Sequence, residues 1–560
     1  MTLPQVAPQT VSDRRRWWAL GALSLSVLVV GLDVFVLTLA IPTLSIDLHA
    51  SSGDAQWFLD AYSLVLAAAL LPAGLLGDRY GRKKLLTWAL VLFGLASLAC
   101  AYSANSGELI GARVALGLAA AVITPLSLAV MPVMFAPEER PKAIAIVGGA
   151  TFLGFPLGPI LGGWLLDNFW WGSVFLINVP IVVIALVAVT WLMPESRSQR
   201  RPRIDVTGVL TSSAALTALT YGFIAAGTDG WSSVSTLASI AIGVVGAVAF
   251  VAWERLVAQR GGQPLVDLGL FRSAGFTWGT TLSTMISFAL FGIFFVLPQY
   301  FLDVRGLNSL GSGVRLLPLI GGMIVGLVLG QRLQTVRGAG ADGRPRGPLA
   351  SPKLIGAIGF AIMAAAMVVG TSTTATSSTG FLASWFAITG FGLGLAMPTM
   401  LNAALSALSP ERSGSGSALM TAMRQVGATI GVAVLGTVIA TVYQNHLHLP
   451  GLPASAAAAA HSSVAAGVAV AKQAAAPASG VLLAAVHHAY TSGLDVMLWI
   501  CAGIAIAAAI LALLFIPRNA GTAPAPGTVA TGTAATGTGE EESPHPASVA
   551  GPADETRRAE

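Results

Sequence analysis

The stretch GLLGDRYGRKK, Gly74 to Lys84, separates two apolar runs and carries five charged residues. Gly77 and Gly81 permit a tight turn, and Asp78 can cap the N-terminus of a following helix. Arg79, Arg82 and Lys83 suit a cytoplasmic surface, where basic residues orient membrane helices. Orientation alone needs only the basic residues. It leaves unexplained the order G-x-x-x-D-R-x-G-R-K formed by Gly74, Asp78, Arg79, Gly81, Arg82 and Lys83.

The runs on either side, 56–76 and 85–104, have the length of about 20 residues that a helix needs to cross a bilayer. Twelve more runs of this kind follow at 17–42, 108–135, 143–166, 174–194, 206–226, 233–254, 276–301, 313–335, 354–371, 380–406, 417–442 and 493–516. Of the 560 residues, 55% are hydrophobic and 10% charged, and the mean hydropathy is +0.76. A soluble protein carries about 25% charged residues, so the chain reads as an all-α polytopic membrane protein with 14 transmembrane helices. The first run follows Arg14, Arg15 and Arg16 but lacks a small-x-small cleavage site, which makes it a retained helix rather than a secretory signal.

Loops with basic residues alternate with loops that have none. DRYGRKK, PEERPK, ESRSQRRPR and QTVRGAGADGRPRG belong inside; SIDLHASSGDA, AYSANSGE, DNFWWGS, GTDGWSS and TSTTATSSTG belong outside. Both termini are then cytoplasmic. Two segments break the short-loop pattern. Residues 443–491 form a long, Ala-rich outer loop with the capacity for a partial hairpin or surface helix, and 517–560 read as a disordered Pro/Ala/Gly/Thr-rich tail.

The net charge of +5 does not indicate nucleic acid, because the basic residues cluster in loops without interleaved exposed aromatics. Cys100 and Cys501 lie in apolar runs without C-x-x-C spacing and read as packing residues, with no metal site. The histidines all fall outside the apolar runs, which makes them poor carriers of proton chemistry at membrane depth. No Walker A motif, kinase or hydrolase constellation is present. An ion gradient is therefore the expected energy source, with no cofactor.

The loop Gly74–Lys84 resembles motif A of the major facilitator superfamily. That resemblance implies a conformational latch built from Gly74, Asp78, Arg79, Gly81 and Arg82, which stabilises one alternating-access state. In the fifth run, GATFLGFPLGPILGG, Gly154, Gly158 and Gly162 recur every four residues on nearly one helical face, so another helix can approach closely, and Pro159 can bend the helix. Generic small-residue packing would account for this. The pattern, with Pro159 and Gly163, also resembles the family's motif C, which implies an antiporter. Arg113, well inside the fourth run, must face the bundle interior or a cavity. It resembles the arginine of the family's motif B, which implies a part in proton coupling; a structural ion pair is the other reading.

Asp33 is a carboxylate inside the first run, VLVVGLDVFVLTLAIP. With Ala40 and Pro42 it resembles the first-span motif of fourteen-helix drug exporters, from which Phe35 and Thr38 depart. Counting 1.5 Å per residue places Asp33 roughly 13 Å from the outer end of its run, Asp60 about 6 Å in and Arg113 about 9 Å in. Two carboxylates and one guanidinium can thus share a cavity in the outer half, unless Asp60 simply reaches interfacial water beside Trp57 and Tyr62. Arg424, about 10 Å from the inner end of its run, is either structural or an anion ligand. Phe288, Phe291 and Phe295 form a stripe that suits lipid or helix packing better than a ligand wall. Glu254, Arg315 and Asp495 lie at run ends and read as solvated.

The resemblance spans roughly 15–516 and is strongest to fourteen-helix drug:proton antiporters of the quaternary-ammonium-compound exporter type. It implies a cytoplasmic N-terminus at 1–16, a six-helix bundle at 17–194, two inserted helices at 195–275, a second six-helix bundle at 276–516 and the tail. The expected function is multidrug efflux across the bacterial plasma membrane, exchanging small hydrophobic or cationic substrates for protons, with a monomer as the working unit. A dedicated exporter of one metabolite or self-made antibiotic is the alternative. A non-transporting sensor or scaffold is a third reading, which has no need of acids at membrane depth.

Overall fold

A computed structural model describes residues 13–136, 139–197, 204–334, 336–339, 345–348, 350–408, 413–449, 453–474 and 478–517. All lie in one compact unit, Met1–Thr522. The tail from 518 onward and residues 1–12 lie outside the described residues.

Fourteen helices of fifteen residues or more run through the described chain. In order they are α1 Asp13–Asp47, α2 Ser52–Tyr80, α3 Arg82–Ala101, α4 Ser106–Ala129, α5 Arg140–Asn168, α6 Asn178–Leu192 and α7 Val206–Thr228. They continue as α8 Val234–Gln259, α9 Ala274–Gln299, α10 Leu317–Gln334, α11 Pro352–Gly370, α12 Thr379–Leu405, α13 Ser413–His446 and α14 Ala478–Phe515. Each overlaps one expected span. Among the described residues, 13 helices are long and apolar enough to cross a membrane. The remaining long helix, α5, contributes the shorter apolar segment Lys142–Thr151.

Local chemistry sets where these helices start. Ser51 forms a capping box with Asp54 ahead of α2, and Asn105, Asp205, Ser233, Ser273, Ser351 and Ser378 each accept a backbone N–H at the helix they precede. Such caps satisfy N–H groups that a helix start leaves open. Between α2 and α3 the chain reverses at Gly81, whose φ of 112° strains any residue with a Cβ.

Helix α1 packs along α5, α2 along α4, α9 along α13, and α12 along both α10 and α11. The pair α7 and α8 pack on each other, with α7 also resting on α2 and α13. The Ser213 hydroxyl donates to the Ala68 carbonyl at 2.7 Å, and the Trp231 indole donates to Thr437 at 3.0 Å. The N-terminal helices meet the C-terminal ones at both ends of the bundle. Helices α2 and α4 touch α13 near the Gly74–Lys84 turn, and α5 touches the short helix Ser309–Arg315, α10 and α12.

Three details lie beyond the apolar runs. The outer segment 443–491 contains two short helices, Ala454–Ser462 and Val464–Gln473, and α14 starts at Ala478, well before the apolar run. His487 and His488 therefore lie within α14 and His446 ends α13, because these helices continue past the apolar runs used to delimit them. The loop QTVRGAGADGRPRG carries a small antiparallel pair, Val336–Ala339 with Pro345–Pro348.

Candidate functional site

Asp33 of α1 is 2% exposed and Arg113 of α4 is 1% exposed. They meet directly: Arg113 Nη1 donates to Asp33 Oδ2 at 2.5 Å. Arg113 Nε donates to the Phe58 carbonyl of α2 at 2.9 Å, and its guanidinium lies 4.5 Å from the centre of the Tyr62 ring. The second carboxylate oxygen of Asp33 accepts from the Asn178 amide of α6 at 3.1 Å, and that amide also approaches the Ser97 hydroxyl of α3 at 3.4 Å. Five helices thus converge on one charge pair. A buried pair survives desolvation only when its remaining hydrogen-bonding capacity is also met, and the Phe58 carbonyl and the Asn178 amide do that here. The Tyr62 hydroxyl and the Asn178 carbonyl oxygen are buried beside it with no hydrogen-bond partner among the described residues.

The sequence pointed to Asp33 and Arg113 at one level, and the structure brings them together. It also shows α1 continuing to Asp47, past the apolar span Arg14–Ile41, and it corrects one expectation. Asp60 does not join the pair: it is half-buried and lies two residues from both Phe58 and Tyr62, which turns it about 200° round α2 from each. Asn178 and Ser97 were missed. A single amide in the apolar stretch INVPIVVIALVAV is the signal that could have found Asn178, because such a group needs a partner in hydrocarbon.

The second cluster sits at the opposite end of α2. Arg82, 1% exposed, donates to Asp78 Oδ1 from Nε at 3.1 Å and Nη2 at 2.8 Å. The backbone N–H groups of Gly414 and Ser415 each donate to the same carboxylate at 3.0 Å. These are first-turn groups of α13, so Asp78 neutralises the positive end of a helix more than 330 residues away in sequence. Asp78 was expected to cap the helix after its own turn. It caps α13 instead, and Glu195 takes the local task by accepting from Lys83 N and Lys84 N, both at 3.2 Å. Glu195 was not identified from sequence. A Cβ at Gly74 would stand 2.6 Å from both Ala418 Cβ and the Gly414 carbonyl, so glycine there lets α2 and α13 touch. Arg79 is half-buried, its guanidinium 5.5 Å from the Tyr80 ring.

The glycine stripe of α5 faces α1, the helix that carries Asp33. A Cβ at Gly154 would lie 2.8 Å from the backbone of Gly31 and Leu32, one at Gly158 2.9 Å from Phe35 Cβ, and one at Gly162 3.2 Å from Val36. Pro159 and Gly163 are buried in the same helix. Phe35 in turn contacts Phe291 and Phe294 of α9, with ring centres 6.4 and 5.7 Å away. Of the expected aromatic stripe, Phe288 and Phe291 are half-buried and Phe295 is 44% exposed. Phe294, which the stripe omitted, is the buried ring.

Arg424 lies on α13, and its Nε approaches Ser287 Oγ of α9 at 3.4 Å. Glu254, expected to be solvated, is 0% exposed: Oε2 accepts from Val266 N at 3.0 Å, so the α8 end is tied to the loop before α9. Arg315 and Asp495 are half-buried. Among the described residues no group of His, Cys, Asp or Glu is placed to hold a metal ion.

A bundle of long apolar helices with buried charge pairs, closely packed glycines and contacts between its N- and C-terminal helices defines a multi-pass membrane transporter. The chain belongs to the Major Facilitator Superfamily, whose family model matches residues 23–432. It is 32% identical over 508 residues to the tetracenomycin C resistance and export protein of Streptomyces glaucescens, covering 89% of this chain and 91% of that one. It is 30% identical over 502 residues to the multidrug efflux pump LfrA of Mycolicibacterium smegmatis, covering 89% and 96%. In fold it is similar to the human organic anion transporter MFSD10, with a TM-score of 0.55 at 12% identity over 90% of this chain and all of that one.

Proposed function

We propose that the chain is an efflux transporter of the bacterial plasma membrane that exports hydrophobic, often cationic drugs or antiseptics in exchange for protons. The observation that carries this reading is the closed Asp33–Arg113 pair, held by side chains or backbone from five helices. In the ionised state Asp33 is neutralised by Arg113. A proton on Asp33 removes that attraction and leaves Arg113 held by the Phe58 carbonyl and the Tyr62 ring. A cationic substrate and a proton then compete for one carboxylate, and loading it alternately from the two sides couples their movements. Expelling a cation against the membrane potential costs about 2.3 kcal/mol per charge per 100 mV, which entering protons offset.

In the same scheme Asp78 and Arg82 act as the latch. The shared carboxylate favours the state in which α2 meets α13, and the α1–α5 contact couples movement of α5 to the helix that carries Asp33. Fourteen spans, arranged as six, two and six with both termini cytoplasmic and a monomer as the working unit, complete the scheme. Similarity to an antibiotic export protein and to a multidrug efflux pump supports export, and the Streptomyces relative favours a second reading, a dedicated exporter of one compound.

The test is accumulation of a fluorescent cation in inverted vesicles with an imposed pH gradient, acid inside. Accumulation that collapses with a protonophore is expected. No accumulation, together with no proton release on adding candidate substrates, would favour the sensor or scaffold reading.

A further inference from the structure

The buried arginines of the two clusters each have a carboxylate: Arg82 has Asp78 and Arg113 has Asp33. Arg424 has none among the described residues; its hydrogen bond is the 3.4 Å contact with Ser287 Oγ. It sits eleven residues into α13, about 17 Å from that end at 1.5 Å per residue, deeper than the sequence suggested because the helix begins at Ser413. A guanidinium at this depth is costly on a lipid face and is tolerated when it faces the bundle interior or a hydrated space. Its neighbour decides which. Ser287 is 2% exposed, so the arginine points inward between α9 and α13.

Direct packing does not enclose it. Gly427 and Gly431 of α13 lie against Thr284 and the Phe288 backbone of α9, so the two helices close on each other beyond Arg424. Arg424 itself remains half-buried while Met420, Ala422 and Ala428 around it are buried. Arg424 therefore keeps some accessible surface where its neighbours on the helix have almost none. Ser287 donates its own hydroxyl to the Ser283 carbonyl at 3.1 Å, which leaves its oxygen to accept from Arg424 and steady the fork.

The geometry points to Arg424 as the anchor for an acidic group, a carboxylate or phenolate, on an otherwise hydrophobic substrate. A guanidinium presents paired N–H donors in a plane that matches a carboxylate, and it stays charged at every working pH. This deepens the export reading and rests on it, since the bundle interior is taken as the substrate's path. It also divides the chemistry between helix sets. Cationic groups meet Asp33 on α1, and acidic groups meet Arg424 on α13.

The test is equilibrium binding of 1-pyrenebutyrate and its methyl ester to the full chain in nanodiscs, with signal from empty nanodiscs subtracted. Wild type is expected to bind the acid about tenfold more tightly than the ester, the scale of one charge-assisted hydrogen-bonded contact. Arg424→Gln should erase that preference while ester binding stays within about threefold, and Arg424→Lys should keep part of it because the charge remains. Equal binding of acid and ester to wild type overturns the inference, as does an equal loss of both in Arg424→Gln. If the Gln variant does not fold, the wild-type preference and its partial retention in the Lys variant decide. Binding is read without transport. An acid preference in a protein that moves nothing would sink the export reading and leave the anchor standing.

Discussion

Asp33–Arg113 and Asp78–Arg82 are both buried aspartate–arginine pairs, and they differ in what else the carboxylate holds. Asp33 is shared with Asn178, so every partner of that pair comes from α1 to α6. Asp78 is shared with the backbone of α13, so its pair bridges to the C-terminal helices. The chemistry is the same but the reach is different. A pair closed within one group of helices can change protonation without parting the bundle, whereas breaking the second releases a helix end from the far part of the chain.

Substitutions can break or sharpen that contrast. The largest effect is expected at the first pair: Asp33→Asn should abolish gradient-driven accumulation of a fluorescent cation in inverted vesicles. Next comes Asp78→Ala, which strands Arg82 and uncaps α13; removing one partner of a buried pair costs about 3–5 kcal/mol. Its readout is thiol labelling of Ser415→Cys, against a low background because Cys100 and Cys501 are buried. Labelling should rise in Asp78→Ala and stay at the parental level in Asp33→Asn. A rise in both would mean that the first pair also holds the bundle shut.

Third is Gly154→Val, whose Cβ would stand 2.8 Å from α1 backbone that cannot rotate away. Overpacking costs about 1–3 kcal/mol, and here it should lower both thermal stability and transport without altering Ser415→Cys labelling. The smallest effect is Glu195→Ala, which removes the acceptor for the first turn of α3. Loss of such a cap costs about 1 kcal/mol, seen as a modest fall in melting temperature with transport retained.

Much of the fold is written in run length and loop charge, because a bilayer demands about 20 apolar residues per helix. Asp33 and Arg113 were legible for a related reason: a charge in an apolar run has to be explained. The partners were harder to see. Asn178 lies 145 residues from Asp33 and Gly414 lies 336 from Asp78, so their pairing depends on how the helices assemble. Helix ends are hidden in the same way: α1 runs on to Asp47, and apolarity says where the hydrocarbon ends rather than where the helix does. Asp60 shows the limit of depth as a guide, since level and facing are independent on a helix.

The central claim is that Asp33 exchanges a proton for substrate while Arg113 neutralises it in between. Its most direct test is proton release into weakly buffered solution when a cationic substrate is added to the purified protein. Wild type is expected to release protons in proportion to the substrate bound, and Asp33→Asn to release none while substrate binding can still be measured. Equal release from both proteins would contradict the account.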